Sequence, residues 1–200
     1  MVKIIGLTGS IATGKSFVAH FIKNKLHYPV IDADRLAREI VEINKPAYNE
    51  IVKNFGENIL KINKDINRKE LGKIIFNNLE KRELLNKITH KYIKIEYLKK
   101  VETYQQEGHS LIFYDVPLLF EAKLQDLFYK IIVVYIPEDL QIKRLVNRDN
   151  ITRTEAIKII NSQINIEEKR NKADFIIDNS NTKNETYKQI INIIDTIKES

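Results

Sequence analysis

Eight consecutive residues, Gly9-Ser10-Ile11-Ala12-Thr13-Gly14-Lys15-Ser16, match the pattern G-x-x-x-x-G-K-[ST]. Their types suit one task, holding the phosphates of a nucleotide. Gly9 and Gly14 allow backbone conformations that a Cβ resists, so the loop can curl its N–H groups around phosphate oxygens. A helix starting at the end of the loop adds its free N–H groups and the positive end of its dipole. Lys15 can reach the β and γ phosphates, and the Ser16 hydroxyl is placed to ligate Mg²⁺. Phe17 reads first as a helix-packing residue, although it closes the stretch 9–17 taken as the ATP-contacting segment.

Further groups could act on a phosphate held there. In Ile31-Asp32-Ala33-Asp34 two carboxylates stand two apart, on one face of an extended chain. One can accept a proton from an attacking hydroxyl while the other supports a metal or orients the acceptor. Asp34 also stands where it can cap the next helix. Asp115 closes an apolar run, either to hold Mg²⁺ through water or to cap a loop. Arg144 and Arg148 are four apart on an expected helix and share a face. There they can neutralise the charge that spreads over a moving phosphoryl group, or be plain surface arginines. His90 alone reads as a surface or helix-packing residue. Asn171-Lys172-Ala173-Asp174 has the N-K-x-D pattern of guanine readers, but it precedes a strand instead of following one.

The elements that must position these residues come from the apolar pattern. Short apolar runs at 3–7, 29–32, 111–114, 131–136 and 175–177 read as strands covered on both faces. They alternate with a helix at 15–25, a mostly helical stretch at 35–106 and a charged helical stretch at 139–170, the pattern of a parallel α/β sheet. Within the first stretch Leu84, Leu85, Ile88, Tyr92, Ile95 and Leu98 recur at helical spacing with no strand signal of comparable strength nearby.

Composition narrows the function classes. A 200-residue chain with 43% hydrophobic and 30% charged residues is globular. No cysteine is present, which excludes disulfides, thiolate zinc sites and cysteine nucleophiles. No apolar run approaches the ~18 residues of a membrane span. The opening MVKIIGLTGS is too short in its apolar part for a signal-peptide core and reads as a mature strand, while the lack of cysteine agrees with a cytoplasmic location. The net charge of +6 is spread along the chain, and glutamates Glu96 and Glu102 break up the basic stretch 91–100. A solvated lysine-rich face with pockets for phosphorylated ligands is expected, not a nucleic-acid or membrane surface.

The loop alone leaves GTPases, nucleic-acid ATPases and small-molecule kinases open. Four segments narrow the choice: residues 7–16, Ile31-Asp32-Ala33-Asp34-Arg35-Leu36-Ala37-Arg38, Asp115-Val116-Pro117-Leu118-Leu119-Phe120-Glu121, and Ala173-Asp174-Phe175-Ile176-Ile177-Asp178-Asn179. In this order, spanning nearly the whole chain, they resemble the dephospho-coenzyme A kinase family. The resemblance implies ATP-dependent phosphorylation of the ribose 3′-hydroxyl of dephospho-CoA with Mg²⁺, the last step of coenzyme A biosynthesis. It implies a parallel-sheet P-loop kinase core (about 1–34, 107–137 and 173–200), a helical substrate-binding lobe (about 35–106) and a helical lid (about 138–172).

By the same resemblance Asp34 is the base and Lys15 and Arg144 complete the catalytic set. Arg148 joins the ATP contacts. Thr8, Asp32, Asp34, Arg38, His90, Pro117 and Leu118 face the acceptor, and Ser16 and Asp115 serve the metal. The chain departs from the family's usual pattern at Ser10 and Ala12, where glycines are common, at Phe17, often Thr, and at Lys91, where His90 would be followed by Pro. A nucleoside or nucleotide kinase and a nucleotide-switched binding module or nucleic-acid ATPase are the rival readings. Oligomeric state is left open, a monomer being sufficient.

Overall fold

Five apolar runs become the strands β1 (Lys3–Gly9), β2 (Val30–Asp32), β3 (Leu111–Asp115), β4 (Lys130–Tyr135) and β5 (Phe175–Asp178). The computed structural model describes residues 2–199. The strands form one parallel sheet in the order β2-β3-β1-β4-β5. Every residue of β3 is buried, as is every residue of β4 after Lys130, because both faces carry helices. The parallel α/β core expected from the alternation is the one observed. Strand β1 is central, with β3 on one side and β4 on the other. The chain order reverses beside it, so the crevice at the carboxyl ends of the strands opens where β1 ends.

Two helices cover one face of the sheet. Helix α1 (Lys15–Asn24) buries Val18, Phe21 and Ile22. Near the other end of the chain lies the helix Lys183–Glu199, which is α9 in chain order and buries Ile190, Ile194 and Ile197 at helical spacing. Together they pack on Ile5, Leu7, Phe113, Ile132, Val134 and Ile177. The Tyr187 ring stacks on Phe21 and Phe17, with centroid distances of 3.9 and 5.3 Å. The Phe17 ring is therefore committed to packing α1 against α9.

Residues 33–103 form a second compact unit. It contains α2 (Ala33–Glu39), α3 (Pro46–Phe55), α4 (Arg68–Phe76) and most of α5 (Leu79–Gln106). Its core gathers Ile51, Phe55, Ile59, Leu71 and Ile88, with Leu84, Leu85 and Tyr92 against them. The mostly helical reading of this stretch holds, and the structure adds two details. Gly56, at φ 84°, ends α3, and a 3₁₀ turn at Glu57–Ile59 and a single antiparallel bridge between Leu60 and Ile66 follow. The apolar stripe of α5 is also only partly used, since Ile95 and Leu98 are 39% and 52% exposed.

Between β4 and β5 lie α6 (Glu138–Asp149), α7 (Arg153–Ile160) and α8 (Ile166–Asn171). Asn150, left-handed at φ 53°, closes α6, and a Thr152–Glu155 capping box opens α7. Ile142, Leu145, Ala156 and Ile160 form a small cluster against which Ile11 and Ala12 pack. Lys169 of α8 has no exposed surface, and its Nζ lies 2.7 Å from Oε1 of Glu121. The same oxygen accepts the Ile164 N–H at 3.0 Å. Among the described residues no helix is long and apolar enough to cross a membrane.

Candidate active site

The loop after β1 is held from several directions. The Ser10 carbonyl accepts the Thr13 N–H at 3.3 Å and the Thr13 hydroxyl at 2.8 Å. The Thr13 carbonyl accepts from Nδ2 of Asn179, just past β5, at 2.8 Å. Both glycines are required. A Cβ at Gly9 would lie 2.8 Å from the Val134 carbonyl, and one at Gly14, whose φ is +90°, would lie 2.1 Å from Asn179 Nδ2. Ala12 is also left-handed, at φ 63°. A side chain there costs roughly 1–2 kcal/mol, so the strain persists only because the surroundings hold the loop.

This wrapping leaves donors without acceptors. The N–H groups of Ala12, Gly14, Lys15 and Ser16 have no hydrogen-bond partner among the described residues. Gly14, the N-cap of α1, makes no side-chain cap bond either. Four amides at the positive end of α1 thus offer a concave set of donors suited to an anion. Lys15 stands among them, its ammonium paired with the Asp115 carboxylate, and the two side chains are 13% and 7% exposed. Parallel register explains the pairing: Leu7 lies opposite Asp115, which puts the end of β3 level with the start of the loop. Asp115 therefore holds the lysine of the loop, a role the sequence reading did not assign. Asp32 lies opposite Asp115 in register at the end of β2.

Asp34 and Arg38 belong to the second unit and are exposed on α2, one helical turn apart. The alternative to the base reading put Asp34 just ahead of a helix as its cap. It lies instead inside the first turn, because α2 starts at Ala33 directly after β2. Leu36, 1% exposed, anchors the opposite face of α2. His90 is exposed on α5.

Thr8 is fully buried, and its hydroxyl donates to the Pro117 carbonyl at 3.2 Å. Leu118 is 47% exposed in the loop after β3. Arg144 of α6 lies beside the phosphate loop. Its Nη2 donates to the Asn179 carbonyl at 2.9 Å, and its Nη1 is 3.9 Å from where a Gly14 Cβ would stand. Arg148, one turn on, forms a two-bond fork on Asp149 at 2.7 and 2.8 Å. That fork holds the Asp149 carboxyl below its ordinary pKa. The structure brings Arg144 to the loop and pairs Arg148 with its chain neighbour.

Asp174, the last residue of the N-K-x-D match, accepts from Lys130 Nζ at 2.9 Å and from the Ile131 N–H at 2.8 Å. It anchors the amino-terminal ends of β4 and β5, the sheet edge opposite the loop, so it reads no base. Sequence reasoning missed Gln141, Gln163 and Asn179 as partners of the loop. Asn179 ends a quoted motif and could have been flagged. The glutamines carry no local signature.

Any Mg²⁺ would meet oxygen donors only: the exposed Ser16 hydroxyl and the carboxylates at the ends of β2 and β3. Among the described residues no group of three or more His, Cys, Asp or Glu forms a dedicated cage. That donor set fits a hard cation that takes one or two protein oxygens and completes its shell with phosphate and water.

The family profile described as dephospho-CoA kinase matches residues 3–185. A dephospho-CoA kinase of Listeria monocytogenes serotype 4b (strain F2365) is 46% identical over 194 residues, 97% of this chain and 96% of the relative. Among solved structures, a dephospho-CoA kinase from Campylobacter jejuni gives a TM-score of 0.71 at 37% identity, covering 98% of each chain. A protein from Thermus thermophilus gives a TM-score of 0.80 at 24% identity over 98% of this chain and 97% of its own, a likeness of fold.

Proposed function

The chain belongs to the dephospho-CoA kinase family, and we propose how its residues divide the reaction that this membership brings. The enzyme transfers the γ-phosphoryl group of ATP to the ribose 3′-hydroxyl of dephospho-CoA, giving coenzyme A and ADP. The new bond joins the 3′-oxygen to the γ-phosphorus. The bond to the β–γ bridging oxygen breaks, and ADP leaves with its electron pair.

Asp34 takes the hydroxyl proton as general base, and Asp32, two residues earlier, orients the acceptor. Arg38 lies on the same face of α2 as Asp34 and faces the anionic acceptor. The amides of Ala12, Gly14, Lys15 and Ser16, which lack acceptors among the described residues, hold the β and γ phosphates. Lys15 and Arg144 offset the charge that develops on the equatorial oxygens. Asp115 fixes the direction of the Lys15 ammonium, a support drawn from their ion pair. Mg²⁺, when bound, neutralises and orients the phosphates, and Ser16 with the strand-end carboxylates is the donor set for it. Reading Asp115 as a residue that orients Lys15 leaves its metal contact to be made through water. A cytoplasmic location suits a reaction that consumes ATP.

The observation that carries this division of roles is the ring of unpaired amides around a lysine held by a strand-end carboxylate. Coupled ADP release tests the reaction, with dephospho-CoA set against nucleosides, mononucleotides and other alcohols. Turnover confined to dephospho-CoA is expected. Turnover on nucleosides or mononucleotides but not on dephospho-CoA would transfer the chain to the rival kinase reading.

A further inference from the structure

Ile11 occupies the turn of the phosphate loop, and both of its backbone groups are taken by glutamines from the lid segment. Its N–H donates to Oε1 of Gln163, in the turn after α7, at 3.0 Å. Its carbonyl accepts from Nε2 of Gln141, in the first half of α6, at 2.6 Å. The Ile11 side chain and Ala12 pack into the apolar cluster of α6 and α7. From these contacts we infer that Gln141 and Gln163 are positioning residues for phosphate binding, a two-sided clamp that ties the lid segment to the loop. The inference rests on the reading of the loop as the ATP phosphate site.

Peptide planarity supplies the lever. In a trans peptide the C=O and the following N–H point in opposite directions, and no peptide bond among the described residues is cis. Gln141, by holding the Ile11 carbonyl, aims the Ala12 N–H the opposite way. Ala12 is one of the four donors without a protein acceptor. Gln163, by holding the Ile11 N–H, turns the Ser10 carbonyl toward Thr13, where both the N–H and the hydroxyl of Thr13 bond to it. The clamp thus fixes two successive peptide planes. It also holds Ala12 at φ 63°, a conformation an alanine does not keep unaided.

The glutamines are themselves braced. Gln141 is fully buried. Ile164, next to Gln163, donates to Glu121, which is pinned by the buried Lys169. Oε1 of Gln141 is buried without a partner. The amide is therefore a net liability for folding, whose return is the bond to Ile11.

Calorimetric titration with ATP, together with thermal melting of the unliganded protein, tests the clamp. Gln141→Met keeps the length of the side chain, removes the donor and removes the unpaired oxygen. Gln163→Met removes the acceptor, whereas Gln163→Glu keeps it. One lost hydrogen bond is worth about tenfold in affinity. Gln141→Met and Gln163→Met are therefore each expected to bind ATP about tenfold more weakly, and Gln163→Glu to restore binding. Wild-type ATP affinity in both methionine variants, whatever their melting points, overturns the inference. If Gln141→Met does not fold, the Gln163 pair decides alone, because equal ATP affinity in Gln163→Met and Gln163→Glu overturns it as well. Lys15→Ala in the same titration separates the two readings. If it too leaves ATP affinity unchanged, the phosphate-site reading falls, independently of the glutamines.

Discussion

Replacing Gly14 by alanine would put a methyl group where the structure has no room for one. Two costs add. The backbone stands at φ +90°, and holding a Cβ in that region costs about 1–2 kcal/mol. The methyl would also lie 2.1 Å from Nδ2 of Asn179. That amide cannot retreat freely, because its oxygen accepts from the Thr186 hydroxyl at 3.1 Å and its Nδ2 donates to the Thr13 carbonyl at 2.8 Å. Losing the buried bond to Thr13 costs about 1–3 kcal/mol more. The sum is roughly 2–5 kcal/mol.

At about 2–4 °C per kcal/mol for a chain of this size, the melting midpoint should fall by roughly 4–20 °C. ATP affinity should fall as well, since the Gly14 N–H is one of the free donors. A double-mutant cycle isolates the clash. Asn179→Ala removes the amide that the methyl strikes. Gly14→Ala with Asn179→Ala should therefore cost at least ~1 kcal/mol less than the sum of the single changes. A Gly14→Ala protein melting within about 1 °C of the parent and binding ATP normally would refute the close approach, as would an additive cycle.

Asp34→Asn should leave ATP affinity intact and lower kcat roughly 10²–10⁴-fold; steady-state rates with dephospho-CoA check it, and unchanged turnover removes Asp34 from the chemistry. Lys15→Ala should lose ATP binding and turnover together, and near-normal activity would contradict the assignment of the loop. Lys169→Met leaves the Glu121 carboxylate without its cation and should cost about 3 kcal/mol in urea unfolding; an unchanged midpoint refutes the bracing role. The Glu155 carboxyl is held below its ordinary pKa by its bonds to the Thr152 hydroxyl and N–H. A lowered folded-state pKa gives stabilisation that is complete above the ordinary glutamate pKa and is lost as pH falls through the lowered value. The protection factors of the amides at the start of α7, taken relative to their intrinsic exchange rates, should therefore fall on acidification into that window, and pH-independent protection would contradict it.

The parts legible in the sequence are those in which local pattern and tertiary role coincide. The phosphate loop sits between an apolar strand and a helix, and its glycines carry the conformational demand in their own identity. Parallel strands buried on both faces announce themselves as unbroken apolar runs, which is why β3 and β4 stood out. The partners of the loop were hidden for the opposite reason. Gln141 and Gln163 look like ordinary polar residues of a charged helical stretch, and only the packing of α6 and α7 turns them toward Ile11. Asp115 was visible as a strand-end carboxylate, but its pairing with Lys15 depends on the register between β1 and β3. The alternative reading of Asp34 as a cap fails because α2 starts two residues earlier than its pattern suggested, at Ala33 directly after β2. The apolar stripe of α5 gave a correct helix, and the exposure of Ile95 and Leu98 shows that spacing predicts a face and not its cover.

The unit at 33–103 interrupts the sheet only once, between β2 and β3, strands that are neighbours. All strand-to-strand contacts of the central ribbon that launches the phosphate loop are made with segments outside the insertion. The pairing that places the end of the central ribbon is thus written entirely in residues on either side of the insertion.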